Sequence, residues 1–161
     1  MSFEFPPFFS YPPYFTLQPV KDTKDRQSKL WGELILSYCR HAKVFVVDVE
    51  SDTFPLFSNP SISRKLPLEA RRIFLEDLVA LGGAEWLDGT SKCQCLIFWK
   101  RIQEWAAAIY SFVLTFGLQD SVMTLKELSE GDDTRGTDIH GIHREVLVRA
   151  LRLLESQGKA R

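Results

Sequence analysis

A mixed α+β fold, mainly helical and built as two modules of one plan behind an N-terminal arm, is predicted by three observations. Apolar residues recur at steps of three and four over several long stretches, which is the spacing of one buried helix face. Short runs rich in β-branched and aromatic residues punctuate those stretches. Leu75, Leu78, Gly82 and Ala84 reappear as Leu151, Leu154, Gly158 and Ala160, all at an offset of 76 residues, so the plan is used twice.

The arm comes first. Residues 1–19 hold five of the eight prolines, seven aromatic residues and a single charge, Glu4. Two units stand in tandem, Pro6-Pro7-Phe8-Phe9 and Pro12-Pro13-Tyr14-Phe15, separated by Ser10 and Tyr11. Proline fixes φ and favours an extended, polyproline-like chain, so each unit could present its aromatic pair with little further loss of entropy on docking. An apolar arm can instead fold back over its own core. The doubling of the motif favours an external partner.

Helical periodicity begins near Asp22-x-x-Asp25 and carries Leu30, Trp31, Leu34, Ile35 and Tyr38 on one face. From His41 to Asn59 the signal is mixed, with Val44, Val46, Val47 and Val49 ahead of a Phe54-Pro55-Leu56-Phe57 break; a short strand and a short helix are expected. Pro67 opens the next helix, whose Phe74, Leu78 and Leu81 point inward with Leu75 beside them, until Gly82-Gly83 stops it. Ala84 to Leu87 then reads as a strand, Asp88-Gly89 as the start of a turn, and Cys93 to Trp99 as a strand apolar enough to be covered on both faces.

The order then recurs. Ile102 to Phe116 is a helix with Trp105, Ile109, Phe112, Val113 and Phe116 on one face. Val122 to Thr124 is a short β segment, Leu125 to Glu130 a short helix, Gly131 to Asp138 an acidic loop, and His143 to Gln157 the last helix, with Leu147, Ala150, Leu151 and Leu154 inward. Helix, short strand, helix, helix and hairpin make a winged helix. By analogy with Glu85 to Trp99, residues after Ala160 should form a second hairpin; the chain stops at Arg161, so the second module is expected to lack its wing and to be the less stable one. The expected division is an arm at 1–19, a first winged helix at 20–100 and a second, incomplete one at 101–161.

Composition and charge exclude several functions. At 161 residues and 45% hydrophobic content the chain can bury a core, and its net charge of −1 supplies no general attraction to nucleic acid or an anionic membrane. Residues 67–81 carry Arg71 and Arg72 against Glu69, Glu76 and Asp77, and residues 143–157 carry Arg144, Arg149 and Arg152 against Glu145 and Glu155. Neither helix is a phosphate-seeking surface, which argues against a winged-helix DNA-binding regulator. Arg64, Lys65, Arg71 and Arg72 could make a small basic patch; solvated charge on helix faces is the preferred reading. His140 and His143 have no nearby cysteine to complete a tetrahedral metal site and are read as loop or cap residues. Cys93 and Cys95 read as core packing, Asp132 and Asp133 as a solvated turn, and no metal, cofactor or catalytic constellation is expected. Without a signal peptide or a run of about 18 apolar residues, a cytoplasmic protein is expected. The arm also suggests a WW-domain ligand, but Phe9 and Phe15 stand where such motifs need a tyrosine.

At this point a resemblance becomes specific. The run from Phe5 to Pro19, the helix with Trp31, Arg64-Lys65-Leu66-Pro67, Glu85-Trp86-Leu87-Asp88 and Trp99-Lys100-Arg101 ahead of Glu104-Trp105 resemble the vacuolar protein sorting-associated protein 25 family, the small subunits of the endosomal sorting complex ESCRT-II. The likeness covers nearly the whole chain and departs at its end, where family members continue into the second wing. It implies a non-catalytic adaptor of two winged helices, two copies of which join one of each larger subunit. It also implies that Pro6, Pro7, Phe8, Phe9, Pro12, Pro13, Tyr14 and Phe15 dock onto those larger winged-helix subunits. The second module would recruit an ESCRT-III subunit, linking ubiquitinated cargo to multivesicular-body budding at the endosome. Membrane contact would be indirect. Met123, Thr124 and Leu125, at an apolar strand-to-helix position, are the candidate contacts of the second module.

Overall fold

The computed structural model describes residues 2–89 and 91–160; Thr90 in the expected hairpin turn and the terminal Arg161 lie outside the described residues. The chain divides into two compact units, Met1–Trp99 and Lys100–Arg161.

In the first unit, helix α1 runs from Lys21 to Ala42 and buries Trp31, Leu34, Ile35 and Cys39. Its C-cap, Lys43, takes the left-handed conformation. Strand β1 (Val46–Asp48) follows. The expected short helix is only a 3-10 turn at Pro55–Phe57 and another at Pro60–Ile62. Between and after them lie β2 (Ser58–Asn59) and β3 (Arg64–Lys65), paired antiparallel. Helix α2 (Leu68–Ala80) starts directly after Pro67 and buries Ala70, Arg71, Phe74, Leu75 and Leu78. Strands β4 (Ala84–Trp86) and β5 (Gln94–Ile97) form the hairpin. The sheet order is β1-β5-β4, both pairs antiparallel, with Val47 opposite Cys95 and Ala84 opposite Ile97. Central β5 is covered on both faces: Cys95, Leu96 and Ile97 are all buried. Helix, strand, 3-10 turns, helix and hairpin is the winged-helix plan with its middle helix reduced.

Burial pushes the Cys39 and Cys95 thiols up to about 12, and the nearby Cys95 adds to the cost of ionising Cys39. Cys93 is only half-buried. One thiol of three is therefore expected to react with a disulfide reagent at neutral pH in the native protein, and all three in denaturant; rapid native reaction at all three would contradict this packing.

In the second unit, α3 (Ile102–Thr115), α4 (Leu125–Glu130) and α5 (Arg144–Ser156) enclose Trp105, Ile109, Phe112, Leu128, Val146, Leu147, Ala150 and Leu154. Residues 121–124 are not a strand, contrary to the expectation for Val122 to Thr124. β1 is a strand because β5 pairs with it, and no described residues of the second unit form a strand that could pair with 122–124.

The 76-residue offset recurs in the helix bounds and in the caps. α5 begins and ends 76 residues after α2. Gly82 (φ +83°) donates to Val79 O and Gly83 to Leu78 O; Gly158 (φ +74°) donates to Glu155 O and Lys159 to Leu154 O. Both helices thus close with the same left-handed glycine cap. Two inward expectations fail at helix ends: Leu81 is 80% and Phe116 55% exposed. Each is the C-cap of its helix, where the chain leaves the helical spiral and the side chain leaves the buried face.

Arg71, expected on a solvated face, is 1% exposed. Its Nε donates to Leu66 O at 2.8 Å, Nη1 to Val49 O at 2.8 Å and Nη2 to Asp52 at 3.1 Å, and its guanidinium lies 4.6 Å from the centre of the Phe57 ring. It is a tie between α2 and the segment after β1. The basic patch loses its central member.

Candidate docking surface

The arm is folded onto α1. Instead of an extended chain, each Pro-Pro-aromatic-aromatic unit makes a 3-10 turn, Pro7–Ser10 and Pro12–Phe15. Proline's φ suits the start of such a turn as well as it suits polyproline, and here the turn is closed by backbone bonds. Phe9 N donates to Pro6 O at 3.1 Å and Tyr11 N to Phe8 O at 2.9 Å. In the second unit Tyr14 N donates to Tyr11 O at 3.0 Å and Thr16 N to Pro13 O at 3.2 Å.

The two turns expose and bury their residues identically. In each the first proline (Pro6, Pro12) is half-buried and the second (Pro7, Pro13) exposed. The first aromatic (Phe8, Tyr14) is half-buried and the second (Phe9, Phe15) buried. Three residues per turn makes this a single stripe pattern: Pro7, Ser10, Pro13 and Thr16 all face solvent.

Phe9 and Phe15, expected among the docking residues, are core residues of this chain, at 6% and 1% exposure. Their rings lie 5.4 Å apart, and Phe15 meets Trp31 edge-on at 5.3 Å. Trp31 in turn stacks on Phe74 at 5.7 Å, so the arm is joined through α1 to α2. Polar groups fix the backbone. Trp31 Nε1 donates to Tyr14 O at 2.9 Å, buried Gln27 donates to Tyr14 O and Thr16 O, and buried Asn59 donates to Phe9 O at 2.8 Å. An unpaired buried carbonyl is costly, so these amides hold the arm against its own core.

What remains outward is Phe8, Tyr14, Pro7 and Pro13. The Phe8 and Tyr14 rings lie 5.2 Å apart, and Tyr11, 56% exposed, joins them at 5.7 Å from Tyr14. Sequence reasoning treated Tyr11 as a spacer. Its signal was the interval of three from Phe8 through Tyr11 to Tyr14, which any three-residue-per-turn conformation places on one side.

The second-module candidates are held differently. Met123 and Leu125 are half-buried and Thr124 exposed. Thr124 is the N-cap of α4, its Oγ1 accepting from Glu127 N at 3.0 Å, the hydroxyl half of a Thr-x-x-Glu capping sequence. The same helix ends at Gly131, where a Cβ would stand 2.3 Å from Glu127 O. Gly131→Ala is therefore expected to destabilise the second unit by about 1–3 kcal/mol through forced backbone displacement, read as a lower denaturant midpoint; an unchanged midpoint would show that the turn opens freely. The two histidines are loop and cap residues: His140 Nδ1 meets Thr134 Oγ1 at 3.0 Å, and His143 caps α5 by accepting from Glu145 N at 3.1 Å.

No group of three or more His, Cys, Asp or Glu among the described residues could hold a metal ion. No helix among the described residues is long and apolar enough to cross a membrane.

A family profile described as ESCRT-II complex subunit matches residues 2–143. The chain is 54% identical over 157 residues to vacuolar protein sorting-associated protein 25 of Arabidopsis thaliana, spanning 98% of this chain and 87% of that protein. It is 44% identical to the Homo sapiens protein of the same description, across 99% and 91%. The crystal structure of subunit VPS25 of the endosomal trafficking complex ESCRT-II superimposes with a TM-score of 0.85 at 26% identity, over 96% of this chain and 89% of that one. A chain in the crystal structure of the endosomal complex ESCRT-II (VPS22/VPS25/VPS36) gives 0.83 at 27% identity, over 97% and 91%.

Proposed function

The chain belongs to the ESCRT-II complex subunit family, and from that premise we propose that it is a non-catalytic adaptor. It docks onto its own counterparts of VPS22 and VPS36 through the outward face of the arm and the first unit, two copies of the chain per complex. Its second unit recruits an ESCRT-III subunit. The assembly sorts ubiquitinated membrane cargo into multivesicular bodies, with the chain itself cytoplasmic and reaching the endosome membrane through its partners.

The observation that carries the docking reading is the repeated turn. Two equal units, each anchored by a buried phenylalanine and each raising one half-exposed ring beside an exposed proline, present a rigid apolar surface. Rigid aromatic anchors lose little entropy on association and are typical interface hot spots. A DNA-binding reading is weakened further by the burial of Arg71, which leaves α2 with a half-buried Arg72 against the exposed Glu69, Glu76 and Asp77.

Deleting the arm would be a poor test, because the core would lose Phe9 and Phe15 with it. Point variants on its outer face separate docking from folding. Tyr14→Ala keeps the Tyr14 carbonyl that Trp31 and Gln27 bind. It is expected to cost the complex on the order of 2 kcal/mol of binding while the thermal midpoint of the free chain shifts little. Phe8→Ala should match it in binding and cost more stability, because Phe8 also packs edge-on against Trp31 at 5.5 Å. Light scattering on mixtures with the VPS22 and VPS36 counterparts reads the assembly, and calorimetry the affinity. Unchanged affinity for both variants would overturn this docking face.

A further inference from the structure

Beside the outward rings, the first turn of the arm and one face of α1 enclose an open groove of about 430 Å³. Phe3, Phe5 and Phe8 from the arm and Leu34 from α1 make it apolar. Glu4 and Glu33 also line it, both exposed and neither in an ion pair among the described residues. No lysine, arginine or histidine lines it. An aromatic-walled groove with two carboxylates and no cation among its lining residues suits a long apolar stem ending in a planar positive charge; His41 stands behind the wall, its ring 5.4 Å from that of Phe3.

We propose that this groove between the arm and α1 is a socket for an arginine of the protein that docks on the arm. The guanidinium would lie over the phenylalanine faces with its N–H groups donating to Glu4 and Glu33, the fork geometry that carboxylates accept best. A neutral apolar ligand would make no use of the two carboxylates, and an anion would be repelled by them. The socket rests on the docking reading and adds to it the chemistry of the partner. It lies next to Phe8, one of the outward rings, so one surface could engage both.

The test measures affinity for the VPS22 and VPS36 counterparts at about 50 and 500 mM salt with three proteins: the native chain, the double variant Glu4→Gln/Glu33→Gln, and Tyr14→Ala. Both glutamates are exposed and unpaired, so the double variant should fold with an unchanged thermal midpoint. Loss of two charges facing a cation is expected to weaken low-salt binding about tenfold and to flatten the salt dependence. Tyr14→Ala should weaken binding at both salt levels and leave the salt slope intact. If Tyr14→Ala weakens binding and the double variant behaves like the native chain, docking on the arm stands and the socket is overturned. If neither variant alters binding, the docking reading falls and the socket with it.

Discussion

Trp31→Ala is expected to destabilise the first unit by about 3–5 kcal/mol, the range for deleting a fully buried large aromatic ring. The residue is 0% exposed. It touches the arm through Phe15, Phe9 and Phe8 and reaches α2 through Phe74, so its removal opens a void where three segments meet. It also deletes the donor to Tyr14 O, leaving Gln27 to satisfy that carbonyl alone. The check is the denaturant midpoint of the first unit together with amide exchange of residues 8–16, whose protection should fall more than that of β5. A loss below about 1 kcal/mol would mean that the arm adds little to the core, since even one buried methylene is worth about 0.8.

Arg71→Leu should rank next, at about 2–5 kcal/mol, the cost of leaving two buried carbonyls without their charged donor. Leucine fills part of the volume but donates nothing to Leu66 O or Val49 O, so two carbonyls inside the unit lose their donor. Lysine would not rescue it, because a single ammonium cannot span three acceptors in a plane. The variant has a second readout. In the native chain, hydrogen bonds from Lys65 and then Arg71 hold the Asp52 carboxyl below its ordinary value of 3.8. A carboxyl whose folded pKa is depressed adds stability above its unfolded pKa, and that part is lost as pH falls through the folded value. Acidification from about pH 5 downward should therefore erode the native chain's stability more steeply than the variant's. Equal slopes would show that Asp52 takes its character from Lys65 alone. Asp52 is exposed, so this effect is small beside the loss of the buried bonds.

Local signals were well legible in the sequence. Helix α4 spans the expected residues, α1, α2, α3 and α5 differ from expectation only near their ends, and Gly82 and Gly158, matched at an offset of 76 residues, make the same cap. What failed depended on partners far along the chain. Val122 to Thr124 has the composition of a strand, but a strand exists only where another pairs with it. Arg71 looks like any charged helix residue until Val49 O, 22 residues earlier, comes within reach of its guanidinium. The arm was legible as a repeated aromatic motif, and its members were not, because each pair of rings divides between inside and outside. A sequence cannot show which ring turns inward; Trp31 and Asn59 decide that.

The inward rings change what kind of object the arm is. Read as a string, it looks like a tail searching for a binding partner, with all the slow ordering that implies. With Phe9 and Phe15 seated in the first unit and Asn59 holding the turn between them, it behaves as a fixed edge. A protease that nicks loose termini should leave residues 8–16 of the free chain intact. Assembly should then proceed as one rigid surface meeting another, its rate set by orientation and not by the coiling of a tether. Release should not require the arm to let go of its own domain.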